Sequence, residues 1–396
     1  MIMTITIQQA LRPLFLTCFV IGLGAYPIKQ PHLRIRWVTY LSILYSLTFW
    51  SLYIYVLYYV TTVFTLQRIF FTVINFIVLM INILATITSS FVGFYYHKKF
   101  EMCMIKLDAV DNTLEQLGTP KMDKQIFMWS KQIIIGWFIY VFLMNIYNVQ
   151  YYAQYISIFW ALVLSGIVHY STHVNILVDC LVVILLYVGN RFDKVHEHIK
   201  CLVGKELGMR YTWNRPIIAI NKSTNNYKQV FWTTMHLYLE LHRIARELNL
   251  MFGMKMTLQT ASYLLYLTAF CYHMFLFIKY EYRKDLSFFD WFMICVWTSL
   301  FIIRLYIINY ICDSVRYKAN GINKTIDQLT HVMRYADIWE EICQFILQAI
   351  HHPLKFTGMG LFEFGQKFFW KFCITIATFV MIMIQMKVPI NLTFDI

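Results

Sequence analysis

The stretch KQIIIGWFIYVFLMNIYNVQYYAQYISIFWALVLSGIVHYSTHVNILVDCLVVILLYVGNR, Lys131 to Arg191, has no Lys or Arg between its ends, and its hydrophobicity hardly relents. It is too long for one helical crossing of about 30 Å of hydrocarbon, which takes about 20 residues. Both flanks are rich in Lys and Arg, which gather on the cytosolic side of a membrane. The stretch therefore crosses an even number of times, and two crossings fit: Ile133 to about Tyr155, then roughly Ser165 to Tyr187. Working outward, Trp37–Phe64 and Ile69–Tyr96 form one helical hairpin around TLQR, and Thr257–Ile278 and Trp291–Ile311 form a second. The last run, Phe372–Met386, sits between Lys371 and Lys387 and covers only about 22 Å at 1.5 Å per residue. That length suits a helix lined by protein or water better than one lined by lipid.

Composition agrees with this count. Of the 396 residues 59% are hydrophobic and 14% charged, against about 25% charged in a soluble domain. Aromatic residues reach 18%, which suits interfacial belts. The net charge of +13 reflects sidedness, not nucleic acid, because no basic, aromatic-rich module stands apart from the spans. If the amino terminus, His97–Gln132, Arg191–Met256 and Asp313–Lys371 are cytosolic, only Arg68, Lys279, Arg283, Lys284, Lys387 and the mid-span Arg304 fall elsewhere among the 34 Lys and Arg. The expectation is an all-α membrane protein of seven transmembrane helices, amino terminus in the cytosol and carboxyl terminus outside. Its parts are a cytosolic segment 1–36, a seven-helix domain 37–388 and an outer tail 389–396. A G-protein-coupled receptor has the opposite orientation, and neither Asp-Arg-Tyr nor Asn-Pro-x-x-Tyr stands at the relevant span ends. Leu14–Ala25 has the length and small-residue end of a signal peptide, but its removal would reverse the charge bias. An amphipathic or re-entrant cytosolic helix is expected there instead. The sequon at Asn391 lies outside and is the candidate glycosylation site; those at Asn221 and Asn323 lie inside and should be silent. The nine cysteines fall in spans or cytosolic stretches, which argues against a disulfide framework.

The outer loops are short and the inner segments long, with helical periodicity at Leu237, Leu241, Ile244, Leu248 and Met251. The inner segments should extend the spans as a packed helical bundle. Within the last run, ATFVMIMIQMKVP (Ala377–Pro389), a lone amide interrupts residues otherwise suited to lipid. A buried amide without a partner costs several kcal/mol in hydrocarbon, so Gln385 should face protein, a partner helix or water. Thr378, Ile382 and Gln385, at intervals of four and three, share one stripe. Gln and Thr in a span also serve simply as interhelical glue worth about 0.6 kcal/mol.

The segment Thr378-Phe379, five apolar residues, Gln385-Met386 resembles the Thr-Tyr, five apolar, Gln-Phe signature of insect gustatory receptors, departing from it at Phe379 and Met386. Phe345-Ile-Leu-Gln348, Lys355-Phe-Thr357 and Gly360-Leu-Phe362 are similar to the family's approach to the last span. LHRIARELNLMFG (Leu241–Gly253), NRFDKVHEHI (Asn190–Ile199) and LRPLFLTCFVIGLGAYP (Leu11–Pro27) extend the resemblance over the whole chain. It implies a chemically gated, non-selective cation channel of four like or related subunits in the plasma membrane of chemosensory cells, with the seventh helices lining one pore. Gln385 would then ring the outer pore mouth with amides, Thr378 would share its stripe, and Ile382 with Met381 or Met386 would form a hydrophobic gate that closes by dewetting.

A small-molecule tastant has no ectodomain to capture it and should reach the outer halves of spans two to six, as the resemblance implies. These offer Asn75, Asn145, Tyr151, His169, His173, His273, Trp291 and Trp297, a mix of flat aromatic faces and a few polar groups. Val380 stands where sugar-sensing members carry an acidic residue, which argues against a sugar. His169 and His173 are spaced to chelate a metal, but no third ligand is evident, so they read as cavity lining. Asp179 and Arg304 are ionisable at membrane depth, and mutual pairing is the plain reading beside a functional one. No catalytic motif or cofactor-binding loop appears. A metabotropic receptor of reversed topology is the alternative, and a transporter a more distant one.

Overall fold

A computed structural model describes residues 6–23, 35–63, 73–154, 156–180, 182–206, 224–280, 288–321 and 339–386. The chain is nearly all helical. α1 (Ile7–Val20) opens with a capping box in which Thr6 and Gln9 exchange side-chain and backbone bonds. Ile7, Leu11, Leu14 and Cys18, three and four apart, are buried against α4 and α5. The segment with signal-peptide character is thus a core helix of the fold. Its end needs a residue with positive φ, supplied by Gly22 at +76°. The last carbonyls, which no helix of their own can satisfy, accept from side chains of other helices. Tyr170 donates to the Ile21 carbonyl (2.8 Å), and Trp50 (3.1 Å) and Ser90 (3.2 Å) both donate to that of Gly22.

α2 (Ile35–Val63) and α3 (Val73–Tyr95) follow, the TLQR turn expected between them lying outside the described residues, and α4 (His97–Gln116) bends away from α3 by 68° at Tyr96. α5 (Asp123–Tyr152) is continuous, but the return crossing is broken into α6 (Ile158–Val168), α7 (Tyr170–Asp179) and α8 (Val182–Glu206). The expected boundary at Ser165 is therefore too late, because Ser157 already starts the helix in extended geometry. α9 (Thr224–Tyr280) runs 57 residues, about 85 Å at 1.5 Å per residue, and α3, α4 and α8 pack along it. Leu237, Leu241, Ile244, Leu248 and Met251 are all buried along its inner part, as their spacing indicates.

Among the described residues α10 (Phe288–Asn320), α11 (Trp339–His351) and α12 (Gln366–Gln385) complete the helices. Between the last two, β1 (Thr357–Gly358) pairs antiparallel with β2 (Phe362–Glu363), a departure from a purely helical fold. The turn falls at Met359 and Gly360, both with positive φ. Asn249 of α9 pins the hairpin, accepting from the Thr357 amide (3.0 Å) and donating to its hydroxyl (3.4 Å). Gly253 allows the close approach, since a Cβ there would stand 3.1 Å from the Thr357 carbonyl oxygen. Asn249→Ala should lose both bonds and destabilise the protein by about 1–3 kcal/mol, read as a modest fall in melting temperature of the detergent-solubilised chain.

Among the described residues five helical stretches are long and apolar enough to cross a membrane: Tyr40–Tyr59, Asp123–Tyr152, Ile158–Cys201, Cys295–Asn320 and Gln366–Gln385. α3 with α4 makes a sixth if that bent pair is one span. The Thr257–Ile278 run forms the far part of α9, where Gln259, Thr260 and Ser262 are buried. α12 begins six residues before Phe372, so the last helix is not short. At 20 residues it covers about 30 Å, with exposed Lys367 and Lys371 in its opening turns.

Candidate functional site

Helix spacing and the break at His169 bring several expected residues together. His169 caps the end of α6, and its Nε2 lies 2.9 Å from the Tyr152 hydroxyl of α5. Its ring stacks on Trp297 of α10 at 5.4 Å between centroids and stands 6.3 Å from His173. The His173 ring meets Tyr140 edge-on at 5.4 Å. Trp297 continues into Phe301, which touches Tyr263 and Tyr266 of α9. The result is an aromatic cluster joining α5, α7, α9 and α10. Asn145 sits beside it, accepting from Ser165 (2.7 Å) and donating to the Val141 carbonyl (2.8 Å). Tyr151 is half-buried with its ring against Tyr152. Asn75, His273 and Trp291 lie on α3, α9 and α10, but their side chains fall outside the described residues, as does all of Asn391. Among the described residues no group of three His, Cys, Asp or Glu side chains is placed to hold a metal.

Next to this cluster lies an ion network. Arg304 donates from Nε to Asp179 Oδ2 at 3.0 Å and also from Nη2, the pairing expected of two ionisable groups in a low-dielectric interior. Lys255 of α9 completes it from the other carboxylate oxygen, with Gln259 donating to Asp179 at 2.9 Å. The guanidinium also lies over the Tyr263 ring, 5.3 Å from its centre. The network ties the α7–α8 break to α9 and α10. Lys255 is absent from the residues singled out in the sequence, where it reads as the last cytosolic cation before a span. Its signal was the polar stripe Lys255, Gln259, Tyr263 at intervals of four.

The expected pore residues are arranged differently. Thr378, Met381, Ile382, Gln385 and Met386 are all exposed on α12. Thr378 returns its hydroxyl proton to the Ile374 carbonyl at 3.0 Å. In α12 only Phe372 is buried within the chain. A separate cleft of about 770 Å³ opens where α10 meets the start of α12, lined by Tyr306, Tyr310, Asp313, Arg316, Tyr317 and Gln366. It lies toward the other end of α10 from Trp297 and shares no residue with the aromatic cluster.

A family model described as 7tm chemosensory receptor matches residues 11–388. The chain belongs to this family. The resemblance to insect receptors read from the last helix thus stands at the level of the family. The receptor is similar in structure to the insect olfactory receptor OR5 from Machilis hrabei, with a TM-score of 0.59 and 12% identity over 95% of this chain and 98% of that one. OR5 in complex with eugenol aligns over the same shares at a TM-score of 0.54 and 13% identity. At these identities the likeness concerns the fold. No curated protein sequence matches the receptor.

Proposed function

We infer that this receptor is a gustatory-type, ligand-gated, non-selective cation channel in which the α12 helices of four subunits line the pore. The observation that carries the reading is the bareness of α12. A helix with exposed Trp370, Ile374, Phe379, Met381 and Ile382 around an exposed Gln385 has lipid-compatible faces and one polar stripe. Such a helix is accounted for when copies of it meet around water. In this reading the far part of α9 is the fifth of seven spans, the amino terminus is cytosolic and the tail with Asn391 is outside. The His169, His173 and Trp297 cluster receives a small molecule, as the eugenol complex of OR5 supports for a related fold. Val380 continues to speak against a sugar. The subunits are identical or related, and the cell is a chemosensory neuron.

Expressed in a non-sensory cell, the receptor should give ligand-evoked cation current that persists in excised patches without added nucleotide or G protein. Current that vanishes on excision and returns only with intracellular signalling components would replace the channel by a metabotropic receptor.

A further inference from the structure

The ion network holds two cations and one carboxylate. Lys255 and Arg304 are 3% and 11% exposed, and both lean on Asp179. Among the described residues the other groups acting on them are the Cys180 thiol and the Tyr140 and Tyr263 phenols, none of which carries a balancing charge at neutral pH. With both cations protonated the network carries a surplus positive charge, which at this depth calls for an anion. Unpartnered polar atoms surround it: both ring nitrogens of His173, the Tyr140 hydroxyl, Gln259 Oε1 and Asn175 Oδ1. His173, Gln259 and Asn175 are 4%, 2% and 0% exposed, so water at the surface does not serve them. Folded proteins leave few such atoms without a partner, and clusters of them mark sites completed by something else. Tyr140 and His173 stand edge-on at 5.4 Å, which places two unused hydrogen-bond donors side by side. The His173 ring borders the His169 and Trp297 stack, and Tyr140 meets His173 edge-on.

We propose that the ligand of this receptor is a small planar acid, whose carboxylate is held by the surplus charge of Arg304 with the Tyr140 hydroxyl and the His173 ring N–H, and whose aromatic body lies against His169 and Trp297. The inference deepens the pocket reading and rests on the receptor binding a small molecule; it does not rest on the receptor being a channel. A cationic ligand would meet like charge there, and a neutral one would leave the surplus unmatched.

The test uses the purified full-length receptor and four probes: benzoate, cinnamate and their amides. The acids should raise its melting temperature in a concentration-dependent way, and the amides should not. Arg304→Gln and Lys255→Met each leave one cation against Asp179, so both variants remain paired inside and both should weaken acid binding tenfold or more. Equal shifts from acids and amides, no shift from the acids, or an acid preference that survives in both variants would overturn the proposal. Patch recordings separate this from the channel reading. Acid binding without current leaves the ligand class standing and removes the channel; current evoked by neutral compounds alone, with no acid binding, does the reverse.

Discussion

Asp179→Asn should abolish delivery of the receptor to the cell surface, whereas Lys255→Met and Arg304→Gln should be delivered at close to normal levels. The three substitutions each remove one charge from the same network, yet they leave different remainders. Without Asp179, Lys255 and Arg304 face each other with no carboxylate, at 3% and 11% exposure. Breaking a buried pair from one side costs about 3–5 kcal/mol because the partner stays behind uncompensated. Here two partners stay behind. Without either cation, Asp179 keeps one strong partner and the network becomes neutral, a change that buried ion clusters tolerate and sometimes welcome. Surface biotinylation with size-exclusion profiles in detergent distinguishes the cases. Normal delivery of Asp179→Asn, or loss of all three variants alike, would show that charge balance does not govern this part of the fold.

The second large effect is expected at Gln385. If four amides ring a pore, Gln385→Glu places up to four carboxylates in one narrow circle. Their mutual repulsion keeps some protonated, and the field for divalent cations rises. The calcium-to-sodium permeability ratio should increase severalfold, seen as a positive shift of the reversal potential under mixed calcium and sodium. Gln385→Ala should alter conductance or selectivity with little effect on surface delivery, because an exposed amide contributes little to the fold. An interhelical glue residue behaves in the opposite way: its loss weakens assembly, by about 0.6 kcal/mol per hydrogen bond, and leaves selectivity alone. Unchanged reversal potentials in properly delivered variants would take Gln385 out of the pore.

The lysine-free stretch between Lys131 and Arg191 shows how far local pattern reaches. Its length and flanks required two crossings, and α5 and the run from α6 into α8 are each long and apolar enough to make one. The breaks at His169 and Cys180 were not legible, because no Pro marks them and a single Gly166 inside an apolar run does not by itself end a helix. They follow from contacts made elsewhere, with His169 turned toward Tyr152 and Trp297, and Asp179 held by helices more than 70 positions away. The hairpin at Thr357–Glu363 escaped notice for a similar reason. Two residues per strand carry no periodicity, and Asn249 rather than the strands themselves holds them in place.

The candidate site divides along the same line. His169, His173 and Trp297 were legible as polar and aromatic groups within apolar runs, and the stripe through Thr378, Ile382 and Gln385 as one helix face. Periodicity determines such things by itself, since 3.6 residues per turn decides which side chains share a face. Lys255 was not legible as a buried ion. A lysine one turn outside an apolar run has the same local pattern whether it reaches for water or for a carboxylate. Tertiary structure decided it by setting Asp179 and Arg304 beside it, because the free energy of a buried charge depends on which opposite charges surround it in space, and sequence distance carries no record of that.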